Sequence, residues 1–169
     1  MNKLTIAPTW NISTIEEILT DENLKFVRTD QCITTGFINQ SITIQKMEHM
    51  VYMGSAWRAT LALDEAAQLL AVCNEWNKTT LLPCVSFHEE SDNLLHVTTQ
   101  RSFDTSAGVS FNQLGAFTVS TIDSFVGVWN HFDSQFPHRV TWEKRVSDCL
   151  CAGGLGLQVV RESVGVSHG

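Results

Sequence analysis

The residues of this chain that could do chemistry are six histidines, five cysteines and a short run of carboxylates. Zinc sites show pairs of ligands two to four residues apart, repeated twice. Cys149 and Cys151 form a single pair with only Leu150 between them, and His49, His88, His96, His131, His138 and His168 are scattered. No metal and no cofactor are expected. His88 and His96 fall on facing strands of an expected hairpin, where they could approach each other as ordinary surface imidazoles. A serine nucleophile would need a Gly-x-Ser-x-Gly elbow, which is missing, and no cysteine has a histidine beside it that the sequence justifies as a base. Gly153-Gly154-Leu155-Gly156 lacks the Lys-Ser/Thr ending of a phosphate loop and reads as flexible chain. Glu89, Glu90, Asp92 and Asp104 could become paired acids only by assumption, because acidic hairpin turns are commonly just solvated. No catalytic residue is expected, and the chain reads as a non-enzyme.

One run remains, Asn74-Glu75-Trp76-Asn77, which closes an apolar helical segment just before the strand-like Leu82-Pro83-Cys84-Val85-Ser86-Phe87. Helical geometry sets Glu75 opposite the apolar stripe and Asn77 near its centre line, so a longer helix would bury an amide. A helix stop resolves that conflict: Asn77 takes the left-handed C-terminal position and Trp76 anchors the joint. Alternatively, Asn74, Trp76 and Asn77 present an aromatic and amide surface to a protein partner.

The elements that must position this run can be read from periodicity. Ser13 and Glu16 have capping-box spacing and open a short helix to about Asp21, with Ile15, Ile18 and Leu19 on its apolar face. Leu24 to Arg28, Cys32 to Ile38, Ile42 to Gln45 and Met50 to Trp57 read as a meander of three or four antiparallel strands. Leu63 to Asn77 is the second helix, with Asp64 as its cap and Ala66, Leu69, Leu70 and Cys73 along one side. A hairpin follows, with Val85 and Phe87 facing one way, Leu95 and Val97 matching them, and Glu89 to Asn93 as its polar connection. Ser110 and Gln113 then box the start of a long helix. Its core face is Leu114, Phe117, Thr121, Ile122, Phe125, Val128, Trp129, Phe132 and Phe136, opposite Ser120, Asp123, Gly127, Asn130 and Ser134. Pro137 ends it. The expected class is α+β, an antiparallel sheet of about five strands with helices packed against it, in the order α-β-β-β-α-β-β-α.

Composition bounds the function. Of 169 residues, 43% are hydrophobic and 17% charged, and no apolar run reaches the roughly 20 residues a membrane span needs. A formal charge of -7 repels a phosphate backbone, so neither nucleic acid nor membrane is an expected partner. The N-terminal residues lack the apolar core of a secretory signal, and the odd set Cys32, Cys73, Cys84, Cys149 and Cys151 reads as reduced thiols. A cytoplasmic location is expected. One domain over residues 1–137 is expected, followed by a weakly basic, partly ordered or flexible extension over 138–169, whose Val140, Trp142 and Val146 could dock on the domain or a partner.

This order of elements resembles the YbjN family of bacterial sensory transduction regulators over about residues 13 to 137. The matching pieces are Gly36-Phe37-Ile38-Asn39, the helix ending Asn74-Glu75-Trp76-Asn77-Lys78, Leu82-Pro83, and the terminal aromatic helix. The resemblance implies a fold similar to type III secretion chaperones and a bacterial cytoplasmic role in regulation, without an established catalytic residue set. Two functions follow as expectations. The first is a regulatory or chaperone-like adaptor that binds a protein segment, with homodimer formation possible. The second is a small-molecule sensor or enzyme with a cleft between sheet and helices.

Overall fold

Alternation along the strands and a 3.6-residue stripe along the helices meet in one core. The computed structural model describes residues 6, 10–30 and 32–140. The elements run α1 (Ile12–Asp21), β1 (Val27–Arg28), β2 (Cys32–Phe37), β3 (Gln40–Met47), β4 (Met50–Ala62), α2 (Ala66–Thr79), β5 (Val85–Glu89), β6 (Leu94–Asp104) and α3 (Phe111–Gln135). A 3₁₀ turn, Leu63–Glu65, precedes α2, and a second, Pro137–Arg139, follows α3. The strands form a single six-stranded antiparallel sheet in the order β1-β2-β3-β4-β6-β5. The α+β class is as expected, with six strands rather than about five because the Leu24 to Arg28 segment pairs as a two-residue strand on β2.

One face of the sheet is covered. Val51, Met53, Ser55, Trp57, Ala59 and Leu61 of β4 point inward in strict alternation, and Ile42 and Ile44 of β3 do the same. Against them lie the fully buried Phe125, Trp129 and Phe132 of α3, so the space between sheet and helices is filled with side chain. The expected face of α3 is the buried one, and its capping box is present: Ser110 Oγ accepts from the Gln113 N–H at 3.2 Å while Gln113 Oε1 accepts from the Ser110 N–H at 2.9 Å.

Three local readings change. The cap of α1 is Asn11, whose Oδ1 accepts from the Ser13 N–H at 2.7 Å, so Ser13 lies inside the helix. Asp64 does not cap α2, since the chain there is a 3₁₀ turn in which Glu65 Oε2 accepts from the Ala62 N–H at 3.0 Å. The helix also continues through Thr79, two residues beyond Asn77, and Leu70 is half exposed while Leu69 and Cys73 are buried.

The β2–β3 turn depends on Gly36. A Cβ there would stand 2.5 Å from the Gln40 carbonyl oxygen, which is backbone and cannot yield cheaply. From this turn Asn39 Nδ2 donates to Asp133 Oδ2 at 2.8 Å and to Asn130 Oδ1 at 3.3 Å, and Trp57 Nε1 donates to Asp133 Oδ1 at 2.8 Å. Asp133 thus ties the hairpin and β4 to the end of α3. Deeper in, Trp129 Nε1 donates to Ser55 Oγ at 2.8 Å, and Ser55 Oγ also contacts Gln40 Oε1 at 2.9 Å.

Candidate functional site

The joint between α2 and β5 is built by two side chains of the Asn74-Glu75-Trp76-Asn77 run. Trp76 Nε1 donates to the Pro83 carbonyl at 3.0 Å, and its ring lies 5.3 Å, centroid to centroid, from that of His131 on α3. Asn77 meets β5 with both ends of its amide: Nδ2 donates to the Val85 carbonyl and Oδ1 accepts from the Val85 N–H, each at 2.8 Å. β5 is the last strand of the sheet, so the amide stands where a neighbouring strand would place a peptide group. Asn77 is therefore helical and spends its amide on the sheet, in place of turning the chain at a left-handed C-terminus. Asn74 lies exposed on the outer side of α2, one turn beyond Leu70.

The connection that these bonds fix carries unusual apolar exposure. Leu81 is 89% exposed, Leu82 57% and Leu70 50%, whereas Pro83 between them and β5 is buried. The Leu82–Pro83 peptide is cis. Thr99 Oγ1 donates to the Cys84 carbonyl at 2.7 Å, which pins the end of the connection to β6. Leu82 reaches the face of the sheet that no described helix covers and there helps to line a groove of about 250 Å³ with Tyr52, Gln100, Arg101 and Ser102. Tyr52 is set by a glycine: its ring lies across Gly54, where a Cβ would come within 2.9 Å of Oη, and its hydroxyl donates to Gln100 Oε1 at 2.9 Å. Sequence reasoning named Leu82 only within a strand-like run and the family resemblance, and did not single out Tyr52, Gln100, Arg101 or Ser102, because the groove is assembled from three separate elements.

The other candidate groups are placed as follows. His88 and His96 do pair across β5 and β6, with ring centroids 6.1 Å apart. Glu90 lies 3.2 Å from His88 Nε2, and Asp92 lies 3.1 Å from His96 Nε2. Asp92 also accepts from the Leu94 N–H at 3.0 Å. Desolvation pushes the Asp92 pKa up, but the bonds from His96 and from the Leu94 N–H together outweigh it and the net direction is down. Asp104 is lowered in turn by its bond from the Ser106 N–H. Among the described residues no three His, Cys, Asp or Glu side chains form a metal-holding set, and no helix is long and apolar enough to cross a membrane. Burial pushes the Cys73 thiol up to about 11. Cys149, Cys151, His168, Gly153 to Gly156, Trp142 and Val146 lie outside the described residues.

At the other end of α2, Glu65 gathers the chain beyond α3. His138 Nε2 is 2.8 Å from Oε1, Arg139 Nε donates to the same oxygen at 3.2 Å, and Arg139 Nη2 pairs with Oε2. Burial alone would raise this carboxyl, but the bonds from Arg139, His138 and the Ala62 N–H prevail and hold it at about 2.

The model of one family, described as "Putative bacterial sensory transduction regulator" and named YbjN, matches residues 11–134. Among solved structures the chain is similar to "YbjN, a putative transcription regulator from E. coli", at 15% identity and a TM-score of 0.60, over 72% of this chain and 89% of that one. It is also similar to an uncharacterized protein from Methanothermobacter thermautotrophicus, at 12% identity and a TM-score of 0.47, over 75% of this chain and 97% of that one. At such identities the E. coli structure speaks to the fold. No curated protein matches the chain.

Proposed function

Given that this chain belongs to the YbjN family of regulators, we propose that it works as a non-enzymatic adaptor, holding a segment of another protein at the junction of α2 and β5. The observation that carries this reading is the exposure of Leu70, Leu81 and Leu82 around a joint that Trp76 and Asn77 hold rigid. Exposed leucines on a mobile loop would collapse onto the domain or order only at an entropic cost. Leucines on a clamped connection meet a partner already arranged, which removes much of the ordering cost of binding. Asn74 adds an amide beside Leu70 that could satisfy a partner's backbone. The interior contains packed side chains where a sensor of small molecules would need its cleft. A concavity of about 520 Å³ does open beside α1, but it is shallow and lined by Ser13, Glu16, Glu17, Thr20, Asp21 and Phe111, with Glu16 already paired to Arg28.

The test is a double variant, Leu81→Asp with Leu82→Asp, expressed as the full chain in a bacterial host. Both side chains are exposed, so the melting temperature should shift by less than about 2 °C. The protein that copurifies with the wild-type chain should be lost from the variant. An unchanged set of copurifying proteins would remove the junction from consideration as the binding site.

A further inference from the structure

The sheet has a stretch of edge that no strand of the described residues flanks, and it begins on β6 just past the partner of Val85, the first residue of β5. β5 pairs with Leu95–Thr99, but β6 runs on to Asp104, and among the described residues Gln100 to Asp104 pair only with Met50 to Gly54 of β4. The direction of the peptide groups along β6 follows from the bonds at its two ends. The Glu90 N–H donates to the Leu94 carbonyl on the β5 side, and the Thr105 N–H donates to the His49 carbonyl on the β4 side. Antiparallel strands alternate their bonding side residue by residue. Gln100, Ser102 and Asp104 therefore turn their N–H and C=O groups toward the β5 side of the sheet, beyond the point where β5 begins at Val85. By contrast, the outward groups at the start of β5 are already taken, since Asn77 satisfies both of those of Val85.

The two faces beside this open edge differ. On the uncovered face lie Tyr52 and Leu82, with the 250 Å³ groove between them. On the helix side Phe103 stacks on Phe117 at 5.3 Å, and the Arg101 guanidinium sits 5.5 Å from the centre of the same ring. Among the described residues Arg101 meets no carboxylate, on a chain whose formal charge is -7.

We propose that the segment captured by this protein adds as a strand to β6 along Gln100–Asp104, and that it is an extended stretch of a partner protein carrying a carboxylate opposite Arg101. This deepens the adaptor reading above and rests on it. Side chains on a strand alternate between faces, so an added strand would send an apolar residue into the Tyr52–Leu82 groove and its neighbour to the Arg101 side. Peptide groups of Gln100 and Ser102 supply the affinity common to any strand, whereas the groove and the guanidinium supply the choice of sequence.

Photocrosslinking from single sites tests this in the full chain. Benzoylphenylalanine placed at Ser102, and in a separate protein at Leu81, is activated in bacterial cells, and the adducts are mapped by peptide sequencing. The expected result is an adduct from both sites with the same segment of another protein, with Asp or Glu within a residue or two of the Ser102 attachment point. Arg101→Glu should lower the Ser102 adduct by at least about tenfold, and Arg101→Lys should keep most of it. Ser102→Pro should abolish the adduct from Leu81 while the protein stays folded, because the lost N–H points away from β4. An adduct from Leu81 without one from Ser102 would leave the adaptor standing and overturn strand addition. No adduct from either site would overturn both. Attachment of Ser102 to a second copy of this chain, or to its own residues 141–169, would assign the edge to the protein itself and end the proposal. An undiminished adduct with a folded Arg101→Glu protein would end the carboxylate pairing.

Discussion

Asn77 shows what a single side chain can contribute when its geometry matches a peptide group. The two 2.8 Å bonds to Val85 satisfy a donor and an acceptor that the end of a sheet otherwise leaves to water. Asn77→Ala should cost about 2 kcal/mol, read as a lower denaturation midpoint with an unchanged slope. Asn77→Asp should cost at least as much at neutral pH, since a carboxylate would face the Val85 carbonyl without a proton to give it. The identity of this residue as a joint was legible from its place after an apolar stripe. Its bonds were not, because the residue it grips lies eight positions on, past a connection whose path no local pattern dictates. The same limit hid Asp133, which reads as an ordinary polar position on α3 until Asn39 and Trp57 arrive beside it.

At the scale of elements, legibility followed the strength of the local signal. α3 shows a 25-residue apolar stripe with a capping box at its head, and both are present as expected. β4 was expected to end near Trp57 but continues to Ala62, with a register shift between Ala56 and Thr60 that absorbs the irregularity. Ala59, Leu61 and Ala62 are residue types that favour helix over strand, which is why its end was misplaced. The β2–β3 hairpin supplies a prediction of its own. Gly36→Ala would push a methyl group onto the Gln40 carbonyl, 2.5 Å away, and either the strands separate or the pairing Gly36 with Ser41 breaks. A loss of about 2 kcal/mol or more is expected in thermal or denaturant unfolding. Gly54→Ala is the contrast. There the clash is with the tip of the Tyr52 ring, which can swing away, so stability should change by less than about 1 kcal/mol while the hydroxyl leaves Gln100. Partner capture should weaken in that variant, measured beside the wild-type chain by copurification.

Over the whole molecule, the clasp at Glu65 joins segments more than 70 positions apart, from the turn before α2 to the turn after α3. Its acid dependence has a definite sign. The folded pKa of about 2 lies below the ordinary 4.5, so the clasp contributes fully above about pH 4.5 and loses its contribution as pH falls toward 2. Because the side chains are partly open to solvent, the contribution is on the order of 1 kcal/mol. Between pH 5 and pH 2 the wild-type chain should lose about that much more unfolding free energy than Glu65→Gln, measured by urea titration at each pH. Class and element order could be inferred from periodicity and from the family resemblance, whereas this clasp and the open edge of β6 depend on which distant segments meet. A further property of the assembly follows from the amide that closes the head of β5. A sheet that accepts strands at both margins can be extended by every guest it recruits, and growth of that kind ends in fibres. Val85 is occupied at one margin and β1 is only two residues long at the other, so under the proposed strand addition β6 would take one guest per chain. The stoichiometry of capture would then be written into the fold itself, as a valency of one.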